Sequence, residues 1–193
     1  MRNLGTVALE TNRLIIRKFN ENDGIYMYNN WASDDEVTKY LKWPTHKAKG
    51  MSNSYVSWVM KNYEKDNDNK VYDWVIELKE IGQPIGSIGA VNVNSEVESI
   101  QIGYCIGSKW WHKGIMTEAF TEVIRFFMEE VGANRLEARY DIRNENSGKV
   151  MEKCGLKYEG TLRASDINNS GVFDAAWYSI LKDEYFASVQ YKK

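Results

Sequence analysis

The sequence predicts an α/β fold of the α+β kind. One domain spans residues 1–193, with a mixed, mostly antiparallel sheet of about seven strands flanked by helices. Three observations carry this expectation. Strand-like stretches crowd between Tyr72 and Ile106, joined by connections of hairpin length. A strongly amphipathic stretch follows, in which Met116, Ala119, Phe120, Val123, Ile124 and Phe127 recur at helical spacing. Strand, helix and hairpin patterns then run to the end. At 193 residues, with two prolines and no internal repeat, the chain suits one substantial core.

Taken in order, "NRLIIRKF" opens as a strand with Leu14 and Ile16 on one face. From Asp23 to Tyr63 the pattern turns helical in short pieces: "GIYMYNNWA", "DEVTKYL" and "SNSYVSWVMKNY". In the last, Val56, Val59, Met60 and Tyr63 fall at i, i+3, i+4 and i+7, a single apolar stripe. "EKDNDNK", Glu64 to Lys70, reads as a solvated loop. "YDWVIEL", "PIGSIGAVNV" and "SIQIGYCI" read as strands connected by "EIGQ" and "NSEVE". Beyond the amphipathic helix, "RLEARYDI" reads as a strand and "SGKVMEKCG" as a helix closed by Gly155. "LKYEGTLRASDI" and "VFDAAWYSILK" form a last hairpin turning through "NNSG".

Bulk properties narrow the function. A net charge of −2 and a mean hydropathy of −0.54 argue against nucleic-acid binding through bulk positive charge. No run of about 18 apolar residues is present, so no membrane partner is expected. The opening "MRNLGTVALE" lacks the apolar core of a secretory signal, and a cytoplasmic location is the expectation. Cys105 and Cys154 have no metal-ligand spacing and read as reduced core thiols, so no metal is expected. A homodimer is left open.

Chemistry concentrates in "GYCIGSKWWHKGIMTEAF". A strand ends near Ile106 and a helix begins near Gly114. The first N–H groups of a helix have no internal partner and sit at the positive end of its dipole. A glycine there removes a Cβ from the approach, and Lys109, Lys113 and His112 add positive charge. An anion cradle and a plain tight turn both satisfy these residues. No Gly-Lys-Ser/Thr follows and no G-x-G-x-x-G is present, so ATP and NAD are poor candidates.

Together, "IGYCIGSKWWHKGIMTEAF" and "NENSGKVMEKCGLKYEGTLR" resemble the GNAT acetyltransferases, closest to the branch of ribosomal-protein N-terminal acetyltransferases. Trp111, Lys113, Gly114, Thr117, Glu118 and Ala119 match the first block of that branch. Asn144, Ser147, Glu152, Lys153, Gly155, Glu159 and Gly160 match the second. "LETNRLIIRKF" resembles its opening strand, so the likeness covers essentially the whole chain. Four positions depart from the pattern. His112 stands where the branch often has Gly, and Met116 where Gly or Ala is preferred. Leu156 replaces Phe, and Met151 occupies the place where several relatives carry a tyrosine acid.

The resemblance implies acetyl transfer from acetyl-CoA to a primary amine, foremost a protein α-amino terminus. A small-amine or antibiotic acetyltransferase shares every motif, and a non-catalytic acyl-CoA-binding module is the rival of another class. The implied acetyl-CoA site comprises Tyr104, Cys105, Ile106, Trp111, His112, Lys113, Gly114, Ile115, Met116, Thr117, Asn144, Ser147, Lys149 and Lys153. Asn144 is also readable as a helix-entry residue, and Lys149 and Lys153 as a solvated helix face.

Ser147 is the hydroxyl that the resemblance places beside the leaving thiolate. Counting from Glu159-Gly160, Asp166 falls where close relatives place a base, although an Asp introducing the turn reads as well. Glu98 is the second candidate base. Trp31, Tyr40 and Trp43 lie in the segment where the family builds its acceptor pocket, and they also read as core aromatics. Asp34, Asp35 and Glu36 either attract a cationic acceptor or begin a helical turn.

Overall fold

A computed structural model describes residues 1–66 and 70–190. Eight strands form one sheet: β1 (Leu9–Glu10), β2 (Leu14–Arg17), β3 (Asp73–Leu78), β4 (Gln83–Asn94), β5 (Ser99–Ile106), β6 (Arg135–Asp141), β7 (Lys157–Asn168) and β8 (Gly171–Leu181). Their spatial order is β1-β2-β3-β4-β5-β6-β8-β7. Every pairing is antiparallel except β5 with β6, which run parallel from Ser99 opposite Arg135 to Gln101 opposite Glu137. Six α-helices accompany the sheet: α1 (Asp23–Met27), α2 (Asp35–Thr38), α3 (Lys49–Lys65), α4 (Ile115–Arg125), α5 (Glu145–Lys153) and α6 (Lys182–Gln190). Among the described residues, no helix is long and apolar enough to cross a membrane.

The sequence pattern predicts most of these elements, and three differences have physical causes. The eighth strand is β1, too short at two residues to show any alternation. Helix α6 follows β8 directly and was not expected; it lacks an apolar stripe, and its one signal is Asp183 and Glu184 in the first turn. Glu64 and Lys65, expected in a solvated loop, complete α3, whereas Asn67, Asp68 and Asn69 of that loop lie outside the described residues.

Helix α4 and the π-helical turn that continues it, Phe126–Val131, bury the whole predicted stripe against one face of the sheet. Met116, Ala119, Phe120, Val123, Ile124 and Phe127 join Trp74, Ile76, Ile100 and Ile102 in the larger core. Trp74 meets the edges of Phe126 and Phe127, each at 5.8 Å between ring centroids. On the opposite face α1 and α3 contribute Met27, Val56 and Val59 to a second core around Phe19, Trp31 and Val75. Helix α5 ends as the sequence requires. Gly155 takes a φ of +86°, and the Leu156 and Gly155 N–H groups donate to Met151 and Glu152 carbonyls, a Schellman close.

Helix α5 also lies unusually close to β6. A Cβ added at Gly148 would stand 2.6 Å from the Tyr140 ring and hydroxyl, so only glycine permits this approach. Gly148→Ala is therefore expected to lower the urea-unfolding free energy by about 1–3 kcal/mol, the usual cost of forcing a methyl into a packed site. An unchanged midpoint would contradict the close contact.

Candidate active site

The site begins where β5 and β6 part. Beyond Gln101 and Glu137 the parallel ladder stops, yet β5 stays paired with β4 to Ile106 and β6 with β8 to Asp141. The edges of β5 and β6 that face each other are thus left without ladder partners. A cavity of about 500 Å³ occupies this region. Its walls are β5 at Tyr104, Cys105 and Ile106, the start of α4 at Gly114 to Thr117, and α5 from its cap Asn144 through Ser147 and Lys149 to its last residue, Lys153. Trp111 and His112 line it too. All of these residues are read from the sequence as a cofactor site.

The loop from β5 to α4 is shaped by two left-handed residues. Gly114 caps α4 with a φ of +70°, and His112, two residues earlier, takes +59°. A Cβ at Gly114 would meet only Arg13 Nη2, at 3.8 Å. Backbone conformation therefore requires this glycine, not crowding. The first helical bond runs from Glu118 N–H to the Gly114 carbonyl, leaving the Ile115, Met116 and Thr117 N–H groups free at the cavity wall. His112 holds the glycine-like conformation despite its side chain, so the loop keeps the shape that the departure from Gly put in question. Met116 is 6% exposed and belongs to the core, so its bulk is directed largely into packing.

Glu118 braces this corner. It accepts from Thr11 Oγ1 at 2.6 Å, Arg13 N at 3.0 Å and Arg13 Nε at 2.6 Å, while Arg13 Nη1 donates to the Lys113 carbonyl at 3.0 Å. Burial alone would raise the Glu118 pKa, but the Thr11 and Arg13 hydrogen bonds and the Arg13 charge outweigh it and hold the carboxyl below its ordinary range. Trp111 Nε1 donates to the Ile106 carbonyl at 2.9 Å and fastens the loop to the free edge of β5.

Across the cavity, the Tyr104 hydroxyl donates to the Ser147 carbonyl at 2.9 Å, and Ser147 Oγ donates to the Tyr104 hydroxyl at 3.3 Å. Burial raises the Tyr104 pKa well above the ordinary phenol value, so it stays protonated. Asn144 occupies the N-cap position of α5 but makes no side-chain cap bond, which leaves its amide available to the cavity. Met151 is 1% exposed in the core and presents nothing there.

Several expected site residues are placed elsewhere. Lys113 does not line the cavity; its carbonyl is held by Arg13. Glu98 precedes β5 at the end opposite Tyr104, roughly 20 Å away along the strand. It pairs there with the Met1 ammonium and cannot act as a base at this site. Asp166 also stands outside the cavity lining, bridging Lys42 at 2.8 Å and Arg139 at 2.6 Å. Burial raises its pKa, but the Lys42 and Ile167 hydrogen bonds and the two cationic charges prevail and leave it lowered. That makes Asp166 an ion-pair hub and a weak proton acceptor.

Of the acceptor-side aromatics, Trp31 is fully buried, and Trp43 packs on the second core and against the His46 ring. Only Tyr40 lines the cavity, beside Glu36. Asp34 caps α2, accepting from Glu36 N at 2.9 Å, and takes a hydrogen bond from Ser108 Oγ at 2.5 Å.

Sequence reasoning missed Arg143 and Trp110 on the lining. Arg143 is held by buried Asp141, which receives its N–H at 3.0 Å and its Nε at 2.8 Å. The nearby Asp-x-Arg-Asn spacing was the available signal.

A family model described as an acetyltransferase (GNAT) domain matches residues 13–157. A Bacillus licheniformis protein named uncharacterized N-acetyltransferase p20 is 28% identical over 178 residues, 92% of this chain and 98% of that protein. The ribosomal protein uS5-alanine N-acetyltransferase of Escherichia coli (strain K12) is 28% identical over 169 residues, 82% of each chain. A crystal structure of a GNAT-family acetyltransferase from Bacillus anthracis shares the fold, with a TM-score of 0.78 at 24% identity over 92% of this chain and 100% of that one.

The left-handed His112 yields a direct test. His112→Gly relieves a non-glycine residue of a strained conformation, so thermal or urea unfolding should show it more stable by up to about 1 kcal/mol. A clear loss of stability would mean that the histidine side chain, not the backbone, shapes the loop.

Proposed function

This chain belongs to the GNAT acetyltransferase family, and on that premise we propose that it transfers an acetyl group from acetyl-CoA to a primary amine, foremost the α-amino terminus of a protein. The observation that carries the reading is the cavity at the β5–β6 parting, with unengaged helix-start N–H groups at one end and a serine–tyrosine hydroxyl pair within it. The residues suit a coenzyme A thioester. The Ile115, Met116 and Thr117 N–H groups, with His112 and Arg143 on the same lining, suit an anionic phosphate portion. Lys149 and Lys153 add positive charge along α5. The free edge of β5 suits an arm that carries amides. Acetyl-CoA bound there supplies an acetyl carbonyl activated as a thioester.

The chain's own groups supply the rest. A backbone N–H of the parted strand at Tyr104 to Ile106 is the donor assigned to charge developing on the carbonyl oxygen. Ser147, oriented by Tyr104, is the hydroxyl assigned to the departing sulfur, in a site where Met151 offers no acid. The acceptor must be neutral to attack. An α-amino group with a pKa of about 7.7–8.0 is partly neutral near pH 7, whereas a lysine side chain at about 10.4 is almost wholly charged. Glu36 and Tyr40 form the acceptor end of the lining, where a carboxylate favours a cationic terminus. The uS5-alanine acetyltransferase among the relatives supports a protein terminus as acceptor.

The deciding experiment incubates the protein with acetyl-CoA and a panel of peptides, lysine derivatives and small amines, and follows free thiol. Peptides with free α-amino groups are expected to be acetylated fastest. Acetyl-CoA binding without transfer to any amine would replace this reading with the binding module. Ser147→Ala should lower kcat about tenfold or more while leaving acetyl-CoA affinity within about twofold. Unaltered kcat would remove Ser147 from its assigned role.

A further inference from the structure

With Glu98 remote and Asp166 held by two cations, neither carboxylate expected from the sequence to act as the base is free to take the acceptor's proton. Asp73 is placed differently. Asp73 opens β3 on the face covered by α3. Its backbone is fully engaged: the N–H donates to Thr6 Oγ1 at 3.0 Å, and the carbonyl accepts from the Tyr63 hydroxyl at 2.6 Å. Its carboxylate has neither a hydrogen bond nor an ion pair among the described residues, although the side chain is half-buried. A carboxylate in that condition requires an explanation, because burial without a partner disfavours its charge. Desolvation indeed pushes its pKa up to about 6.

The backbone around Asp73 makes room for this carboxylate. Asp73 lies opposite Gly89 of β4, and Gly89 opposite Gly103 of β5. A Cβ at Gly89 would stand 2.5 Å from Asp73 Oδ1, so the carboxylate rests directly on a strand without a side chain. Gly103 also presents no side chain, and a Cβ there would stand 2.8 Å from Val91 Cγ1, so the Val91 side chain covers that position. Cys105, two residues along β5 on the same face, lines the main cavity. The spacing of two strands puts Asp73 and β5 about 10 Å apart. One hydrogen-bonded amine and an attack distance of about 3 Å span most of that gap.

Asp73 also borders a separate hollow of about 380 Å³ with Asn62, Val91 and Asn92. Titratable groups facing this place are Tyr55 and Tyr63 from α3 and Cys105 from β5, all with pKa values raised by burial and hence neutral. Lys70 borders the hollow and is itself engaged.

We propose that Asp73 is the carboxylate that meets the acceptor's ammonium group on the α3 face of the sheet and takes its proton. This rests on the acetyl-transfer reading above. Asp73 accepts one proton from the ammonium group. The freed lone pair forms the C–N bond as the C–S bond breaks, with its electron pair on sulfur. The second nitrogen proton ends on that thiolate, and Asp73 returns its own to solvent.

The test compares wild type, Asp73→Asn, Asp73→Glu and Asp166→Asn across pH, measuring kcat with saturating peptide, acetyl-CoA affinity and Tm. Wild-type kcat should fall below about pH 6. Asp73→Asn should lose that limb and at least tenfold in kcat at pH 7.5, with acetyl-CoA affinity unchanged, and Asp73→Glu should recover part of the loss. Stability should move the other way. A carboxyl whose folded pKa lies above its unfolded value costs stability as pH rises from about 4 through 6. Asp73→Asn should therefore melt no lower than wild type at pH 7.5, with its advantage shrinking toward pH 4.5.

Wild-type kcat retained within twofold by Asp73→Asn would overturn the assignment, as would a parallel loss of activity and Tm. A tenfold loss in Asp166→Asn alone would transfer the role there. A wild-type protein that acetylates no amine overturns the acetyl-transfer reading and this inference with it.

Discussion

The structure turns on the parting of two parallel strands. β5 and β6 share a ladder for three residues and then separate, each still bonded to its outer neighbour. The separation therefore forfeits only the hydrogen bonds between those two strands, and it leaves backbone donors and acceptors facing a cavity. Everything that lines the site is positioned by this gap. The Tyr104 hydroxyl reaches across it to Ser147, Trp111 ties the following loop to Ile106, and the α4 and α5 N-termini point into it from either side. A free strand edge would normally be covered by structure; here it faces a cavity.

Charge is distributed to match. The chain is slightly acidic, with a net charge of −2, yet His112, Arg143, Lys149 and Lys153 gather on one lining. Many carboxylates are spent on structure. Glu118 locks the α4 corner to Arg13, Asp141 fixes Arg143, and Glu159 receives Arg135 and Ser179, whose hydrogen bonds hold its pKa down to about 2. Against that background Asp73 stands out, half-buried and with no partner for its carboxylate among the described residues.

The amphipathic α4, the central strands and the Gly155 close were all legible, because each is written in a local period or a single residue's backbone preference. Of the fourteen residues that the resemblance implies for an acetyl-CoA site, all but Lys113 line one cavity. What was not legible depends on distance in three dimensions. Whether an acidic side chain is free or neutralised is decided by partners such as Lys42 and Arg139, far from Asp166 in sequence. Whether an aromatic lines a pocket or fills a core is likewise decided by packing, and Trp31 and Tyr40 fall on opposite sides of that division. Asp73 carries no local signal, since its environment comes from two glycines on neighbouring strands.

The claim at the centre of this account is that the gap between β5 and β6 is the seat of acetyl-CoA. Amide hydrogen exchange followed residue by residue, with and without acetyl-CoA, addresses it most directly. The account predicts slowed exchange confined to Tyr104–Ile106, Ile115–Thr117 and Asn144–Ser147. Protection elsewhere with none in those three segments, or no protection at saturating acetyl-CoA, would contradict it.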